Sequence, residues 1–142
     1  MKTLFLAFAA TTMIWVDAPA QSVKNPPVRT KTAFEQKFPG ALQVKWGKEN
    51  SSEYEAEFVL GTTKMSANFT TDGKWLETES TIPVNQIPAT VSSSIAKLFP
   101  DSTVLEADRI ERAEKNILYE IVLKTGTKKK ELLFDEKGVL QK

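Results

Sequence analysis

The chain writes one phrase twice. "FEQKFPGALQVKW" runs from Phe34 to Trp46 and "IAKLFPDSTVLEA" from Ile95 to Ala107, with Phe38-Pro39 and Phe99-Pro100 standing 61 positions apart. Each Phe-Pro pair closes a stretch with helical apolar spacing and opens one in which apolar and polar residues alternate. A sequence that repeats helix, stop and strand in this way is restricted to folds made of two similar units. One unit of about 60 residues is marginal alone, so the two are expected to share a sheet and a helical layer.

The boundaries follow from proline. Pro27 and Pro88 each stand 11 residues before the Phe of a Phe-Pro pair. Proline suits the start of a helix and interrupts its interior. Helices are therefore expected over about 27–38 and 88–99. Thr30, Phe34 and Phe38 make the apolar face of the first. Val91, Ile95, Leu98 and Phe99 make that of the second. Thr32-x-x-Glu35 is also a capping-box pattern, which would begin a shorter first helix.

After each helix the period becomes two. Leu42, Val44 and Trp46 alternate with polar residues, as do Tyr54, Ala56 and Phe58, and then Met65, Ala67 and Phe69. Asp72-Gly73 is a hairpin signal before a fourth strand over Lys74 to Ser80. In the second copy Tyr119, Phe134 and Gly138 match Tyr54, Phe69 and Gly73 at an offset of 65. The growth from 61 to 65 places four extra residues in the first hairpin of the second copy, around Arg112 to Asn116. The expected fold class is α+β: tandem α-β4 repeats over about 27–80 and 88–142, forming an antiparallel sheet with helices on one face.

The first twenty residues are read separately. Met1-Lys2, the apolar run "LFLAFAATTMIWV" and "APA" at Ala18 to Ala20 have the layout of a cleaved export signal. The expected mature domain is 21–142, periplasmic or secreted, with no membrane insertion once the signal is removed. Its start, Gln21, offers no Cys for lipid attachment. The whole chain carries 19 basic and 18 acidic residues, a balance that gives no reason to expect nucleic acid as a partner. Cysteine and histidine are both absent. That removes disulfides, thiol nucleophiles, Ser-His and Cys-His pairs, and the common zinc and copper ligand sets. The chain is accordingly read as non-enzymatic, with no cofactor.

At "FPGALQVKWGKENSSEYEAEF", "DGKWLETE" and "LFDEKGVL" the chain resembles the PepSY-like family of small exported bacterial proteins, described as β-lactamase-inhibitor-like. The resemblance implies two α-β4 units with helices on one face of the sheet and the other face open, a BLIP-like arrangement. It also implies a protein target, and with it a role as a protein or peptidase inhibitor, since PepSY domains occur in propeptides that restrain secreted peptidases. The inhibitor that lends the family its name has disulfides and presents an acid on the hairpin between the second and third strands. Here that hairpin is Leu60-Gly61-Thr62-Thr63, without an acid, which argues against β-lactamase itself.

The candidate site is the open face. If Tyr54, Phe58 and Phe69 face the helices, then Glu55, Glu57, Lys64, Ser66 and Asn68 line the other face in the first copy. Glu120, Val122, Lys129, Glu131 and Leu133 occupy the matching places in the second, with Leu118 opposite Glu53 in parity. The second half is the more apolar. It reads as a surface for an exported or envelope protein or peptide, or as a face buried in a homodimer. Glu53, Glu55 and Glu57 form a carboxylate row on one strand. Same-face neighbours on a strand lie about 7 Å apart, so a solvated face paired with Lys64 is the plain reading and a small-ligand or calcium-binding sensor domain in the cell envelope the alternative. Trp46 and Trp75 read as core, Asp72 as a turn residue, Ser92 to Ser94 with Lys97 as helix surface, and Asp101-Ser102-Thr103 as a helix-to-strand turn.

Overall fold

The computed structural model describes residues 25–141; the leader expected over 1–20 lies outside them. The element order is α1 (Val28–Lys37), β1 (Leu42–Lys48), β2 (Glu53–Leu60), β3 (Thr63–Thr70), β4 (Trp75–Thr81), a 3-10 turn at Val84–Gln86, α2 (Ala89–Leu98), β5 (Thr103–Arg112), β6 (Ile117–Thr125) and β7 (Lys128–Asp135). The strands form one seven-stranded sheet in chain order, every pair antiparallel. No helix among the described residues is long and apolar enough to cross a membrane.

Both helices begin directly after a proline, with Pro27 and Pro88 in extended geometry ahead of the first helical residue. The capping-box start at Thr32 is not used. Each helix lays one face on the sheet. Under α1 sit Phe34, Phe38, Ala56, Phe58, Ala67 and Phe69, with Trp46 and Trp75 half-buried against them. The Phe34 ring lies 5.0 Å from Phe58 and 5.3 Å from Trp46, both edge-on, the arrangement aromatic quadrupoles favour. Under α2 sit Val91, Ile95, Ala107, Tyr119, Ile121, Leu123, Leu132 and Phe134. Trp46 and Trp75 are therefore part of the core side, Trp46 by its parity opposite Ala56 and Trp75 through the bulge that sets it opposite Phe69.

The two halves share an unusual detail. Gly73, at φ +83°, has its backbone against the Arg29 carbonyl at the start of α1. Gly138, at φ +76°, stands against the Thr90 carbonyl at the start of α2. In each case a threonine of the helix closes the contact. Buried Thr30 donates to the carbonyl oxygens of Thr70 and Thr71, and Thr90 donates to that of Glu136 at 2.7 Å. A turn lacking a side chain is thus seated on the first turn of each helix.

One sequence expectation is corrected, and the place of the four extra residues within their hairpin is made specific. The fourth strand of the second half is reduced, among the described residues, to a single bridge between Phe134 and Leu140. Asp135 ties the turn before it by accepting from the backbone N–H groups of Lys137 and Val139. The four extra residues lengthen strands rather than a loop. They add the rungs Ile110↔Leu118 and Glu111↔Ile117 beyond Arg109↔Tyr119. The longer β5 can then pair with β4 from Glu77↔Arg112 to Thr81↔Asp108, and this pairing joins the halves into one sheet.

Candidate functional site

Alternation along each strand dictates the face opposite the helices. Since Tyr54, Ala56 and Phe58 are buried under α1, Glu55 and Glu57 point the other way. The register then writes rows across the sheet. Glu55 pairs with Asn68, Asn68 with Glu77, and Glu77 with Arg112. Glu57, Ser66, Glu79, Ile110 and Leu118 form the next row. Thr81, Asp108, Glu120 and Leu133 form a third, and Glu106, Val122 and Glu131 a fourth.

The middle of this face, at the β4–β5 junction, is crowded with carboxylates. Oxygens of Glu79, Asp108 and Glu120, from three consecutive strands, all lie within 4.8 Å of one another. Burial, then the nearby Glu120, Asp108, Glu55 and Glu77, push Glu79 up to about 8. Burial, then repulsion and a shared hydrogen bond with Glu131, push Glu120 up to about 8 as well. Asp108 is also raised by burial, although the Thr81 hydroxyl, donating to its Oδ1 at 2.8 Å, partly offsets this. Glu55 is raised by burial, against a hydrogen bond from Ser66. Glu131 keeps its Oε2 buried without a hydrogen-bond partner. An ion pair on this face, Arg112 to Glu77 at 3.0 Å, sits one row away. Such a cluster favours protonation or a positive charge placed between the carboxylates.

A cleft of about 620 Å³ opens beside the cluster, at the end of the sheet nearest the β2–β3 turn. It is lined on the open face by Lys64, Ser66, Glu79, Thr81, Glu106 and Asp108, with Pro83 at its edge.

The residues singled out from sequence all fall on this face, with unequal access. Lys64 is exposed; Glu55, Glu57, Val122, Glu131 and Leu133 are half-buried; Asn68 and Leu118 are buried. The expectation of an exposed apolar strip is therefore corrected at Leu118, only 7% exposed within its own chain, next to Ile110 at 5%. The extra rung sets these two side chains side by side on the face. Lys64 stands directly across from Val59 and diagonal to Glu57 on this face.

Sequence reading passed over Glu79 and Asp108. Both have the right parity, Glu79 one position beyond buried Thr78 and Asp108 one beyond buried Ala107. What brings them together is the β4–β5 pairing, a contact between the two halves that no period within either half reveals.

Comparison with known proteins agrees with this architecture. Residues 52–142 match the family model described as "Putative beta-lactamase-inhibitor-like, PepSY-like". None of the curated proteins matches the sequence. Among solved structures, a "putative periplasmic" protein from Bacteroides eggerthii is similar at 22% identity and TM-score 0.77, over 84% of this chain and 88% of that one. A DUF2874 family protein from Bacteroides ovatus is similar at 20% identity and TM-score 0.75, over 84% and 86%. A BLIP-like protein from Bacteroides fragilis is similar at 22% identity and TM-score 0.72, over 85% and 86%. These likenesses concern the fold.

Proposed function

Since this chain belongs to the PepSY-like, β-lactamase-inhibitor-like family, we propose that it is a non-enzymatic binding module, exported to the cell envelope, that receives a protein or peptide on the open face of its sheet. One observation carries the reading: that face concentrates Glu55, Glu57, Glu77, Glu79, Glu106, Asp108, Glu120 and Glu131 on neighbouring rungs of β2 and β4 to β7. The partner is accordingly basic where it touches. Val122 and Leu133, half-buried beside the carboxylates, supply the apolar part of the contact. The absence of histidine and cysteine supports a binding role over a catalytic one.

The test is capture of partners from envelope and culture fluid by residues 21–142. The expected partner carries a basic segment, is released by about 0.5 M salt, where charges are screened within a few ångströms, and is lost when Glu57→Gln and Glu106→Gln are combined. Capture that survives both treatments would remove the acidic face from the interaction.

A second reading is favoured by the mutual approach of the Glu79, Asp108 and Glu120 oxygens: a divalent cation held by oxygen ligands, with calcium the fitting size class. Calcium at a hundred times its Kd would then stabilise the domain by about 2.7 kcal/mol. The shift is expected at pH 8, to shrink at pH 5.5 and to vanish in Glu79→Gln. A melting temperature indifferent to calcium at pH 8 would discard this reading.

A further inference from the structure

We infer that the outer edge of β1 is a second interaction surface, which receives an extended peptide segment carrying acidic and apolar side chains in alternation. The inference stands apart from the open-face reading and goes beyond it. Its template lies within the molecule. β5 is the second-half counterpart of β1: 61 positions along, Trp46 becomes Ala107 and Lys48 becomes Arg109. Both strands shift register near their starts, between Leu42 and Lys45 and between Val104 and Glu106. The outer edge of β5 is taken by β4. Among the described residues no strand pairs with the outer edge of β1, which ends the sheet.

The backbone on that edge is set for pairing. The Glu49 N–H donates to the Glu53 carbonyl. Hydrogen-bonded and open pairs alternate along an antiparallel ladder, so Lys48 and Trp46 turn their N–H and C=O groups outward. Their counterparts do the same, and β4 meets them. Ser80 stands opposite Arg109, and the Ile82 N–H donates to the Ala107 carbonyl at 2.9 Å. Ile82 then packs against the core under α2. In the first half the equivalent space is a cleft of about 340 Å³ between α1 and β1, lined by Phe34, Phe38, Val44 and Trp46 with Lys31 and Glu35. An apolar side chain opposite Trp46 enters that cleft.

Charge selects the rest of the occupant. β1 carries Lys45 and Lys48 and no acid. A second copy of this edge brings the same charges, and lysines on an edge strand guard against such pairing. A strand with acids opposite Lys45 and Lys48 complements them. Strand addition of this kind takes affinity from main-chain bonds and specificity from alternate side chains.

The test titrates isotopically labelled residues 21–142, near neutral pH, with acetyl-Thr-Glu-Thr-Ile-Glu-Val-Thr-amide. Antiparallel to β1, its isoleucine lies opposite Trp46 and its glutamates opposite Lys48 and Lys45. The amides of Trp46 and Lys48 are expected to shift and to gain protection from exchange, with those of Val122 and Leu133 unmoved. N-methylation at the isoleucine removes the N–H meant for the Trp46 carbonyl and should weaken binding about tenfold. Lysine in place of both glutamates should also weaken it about tenfold. On the protein, Lys48→Pro removes an outward N–H and keeps the β1–β2 ladder, while Val44→Asp puts a charge at the cleft. Each should weaken binding, so the result does not depend on one variant folding. No shift at Trp46 and Lys48 at millimolar peptide, or binding indifferent to N-methylation, would overturn the inference. So would shifts confined to Val122 and Leu133. Protection of the two edge amides before peptide is added would overturn it too: if it grew with protein concentration the edge would belong to a second copy, and if not, to the chain's own leading residues.

Discussion

Stability should fall as pH rises from 5 to 9. Glu79 and Glu120 sit near 8 in the folded protein, against about 4.5 for an ordinary glutamate, because burial comes first and neighbouring carboxylates second. Between those values the native state holds protons that the unfolded chain has released. By linkage, stability declines with pH wherever the native state binds more protons. The decline begins above about 4.5 and is complete once pH has passed about 8. Asp108 and Glu55, both raised, act in the same direction. A tenfold change in a group's proton affinity between the unfolded and folded states corresponds to about 1.4 kcal/mol. Water reaches both half-buried glutamates and screens them, so the combined loss is on the order of 3 kcal/mol, or about 10–20 °C in Tm. Thermal melts across the range would check it. Glu79→Gln should flatten the curve and leave the domain more stable than the parent at pH 9. A Tm that is flat or rising over this interval would contradict the buried-cluster picture.

The other large effect is expected at Gly138→Ala. A Cβ there would press into the Thr90 carbonyl oxygen and stand 2.8 Å from Ser94 Oγ, at a backbone φ of +76°. The conformation alone costs about 1 kcal/mol for an L side chain. The contact must then lift the turn from α2, disturbing the Thr90–Glu136 hydrogen bond, and overpacking of this kind adds about 1–3 kcal/mol. The total, about 3 kcal/mol, is again about 10–20 °C in Tm. Gly61→Ala is the control. It has φ +62° and nothing within 4 Å of the added carbon, so the conformational cost of about 1 kcal/mol should stand alone. Equal losses at the two sites would mean that the turn yields freely and does not clamp the helix.

Both predictions involve contacts between segments distant in sequence, which is also where sequence reading ran out. Local signals carried much of the architecture. Pro27 and Pro88 marked the helix starts, Phe38-Pro39 and Phe99-Pro100 their ends, and period-two runs the strands and their buried faces. These are short-range effects of backbone sterics and side-chain alternation, present in any stretch of a dozen residues. The resemblance to the PepSY-like family came from the same local phrases. Parity placed Glu55, Glu57, Lys64, Asn68, Val122, Glu131 and Leu133 on the open face.

Tertiary structure decided the rest. The four additional residues became the rungs Ile110↔Leu118 and Glu111↔Ile117, so Leu118 is covered by its own chain. The last strand shrank to one bridge. Above all, β4 paired with β5 and set Glu79 beside Asp108 and Glu120. The sequence by itself determined which face most side chains take, because alternation is a property of one strand; only at the bulges, where Trp75 and Val104 turn to the helix side, does the pairing decide. Which carboxylates meet, and how strongly they resist ionisation, depends on the register between strands from different halves and on the water that packing removes, and neither exists until the sheet is assembled.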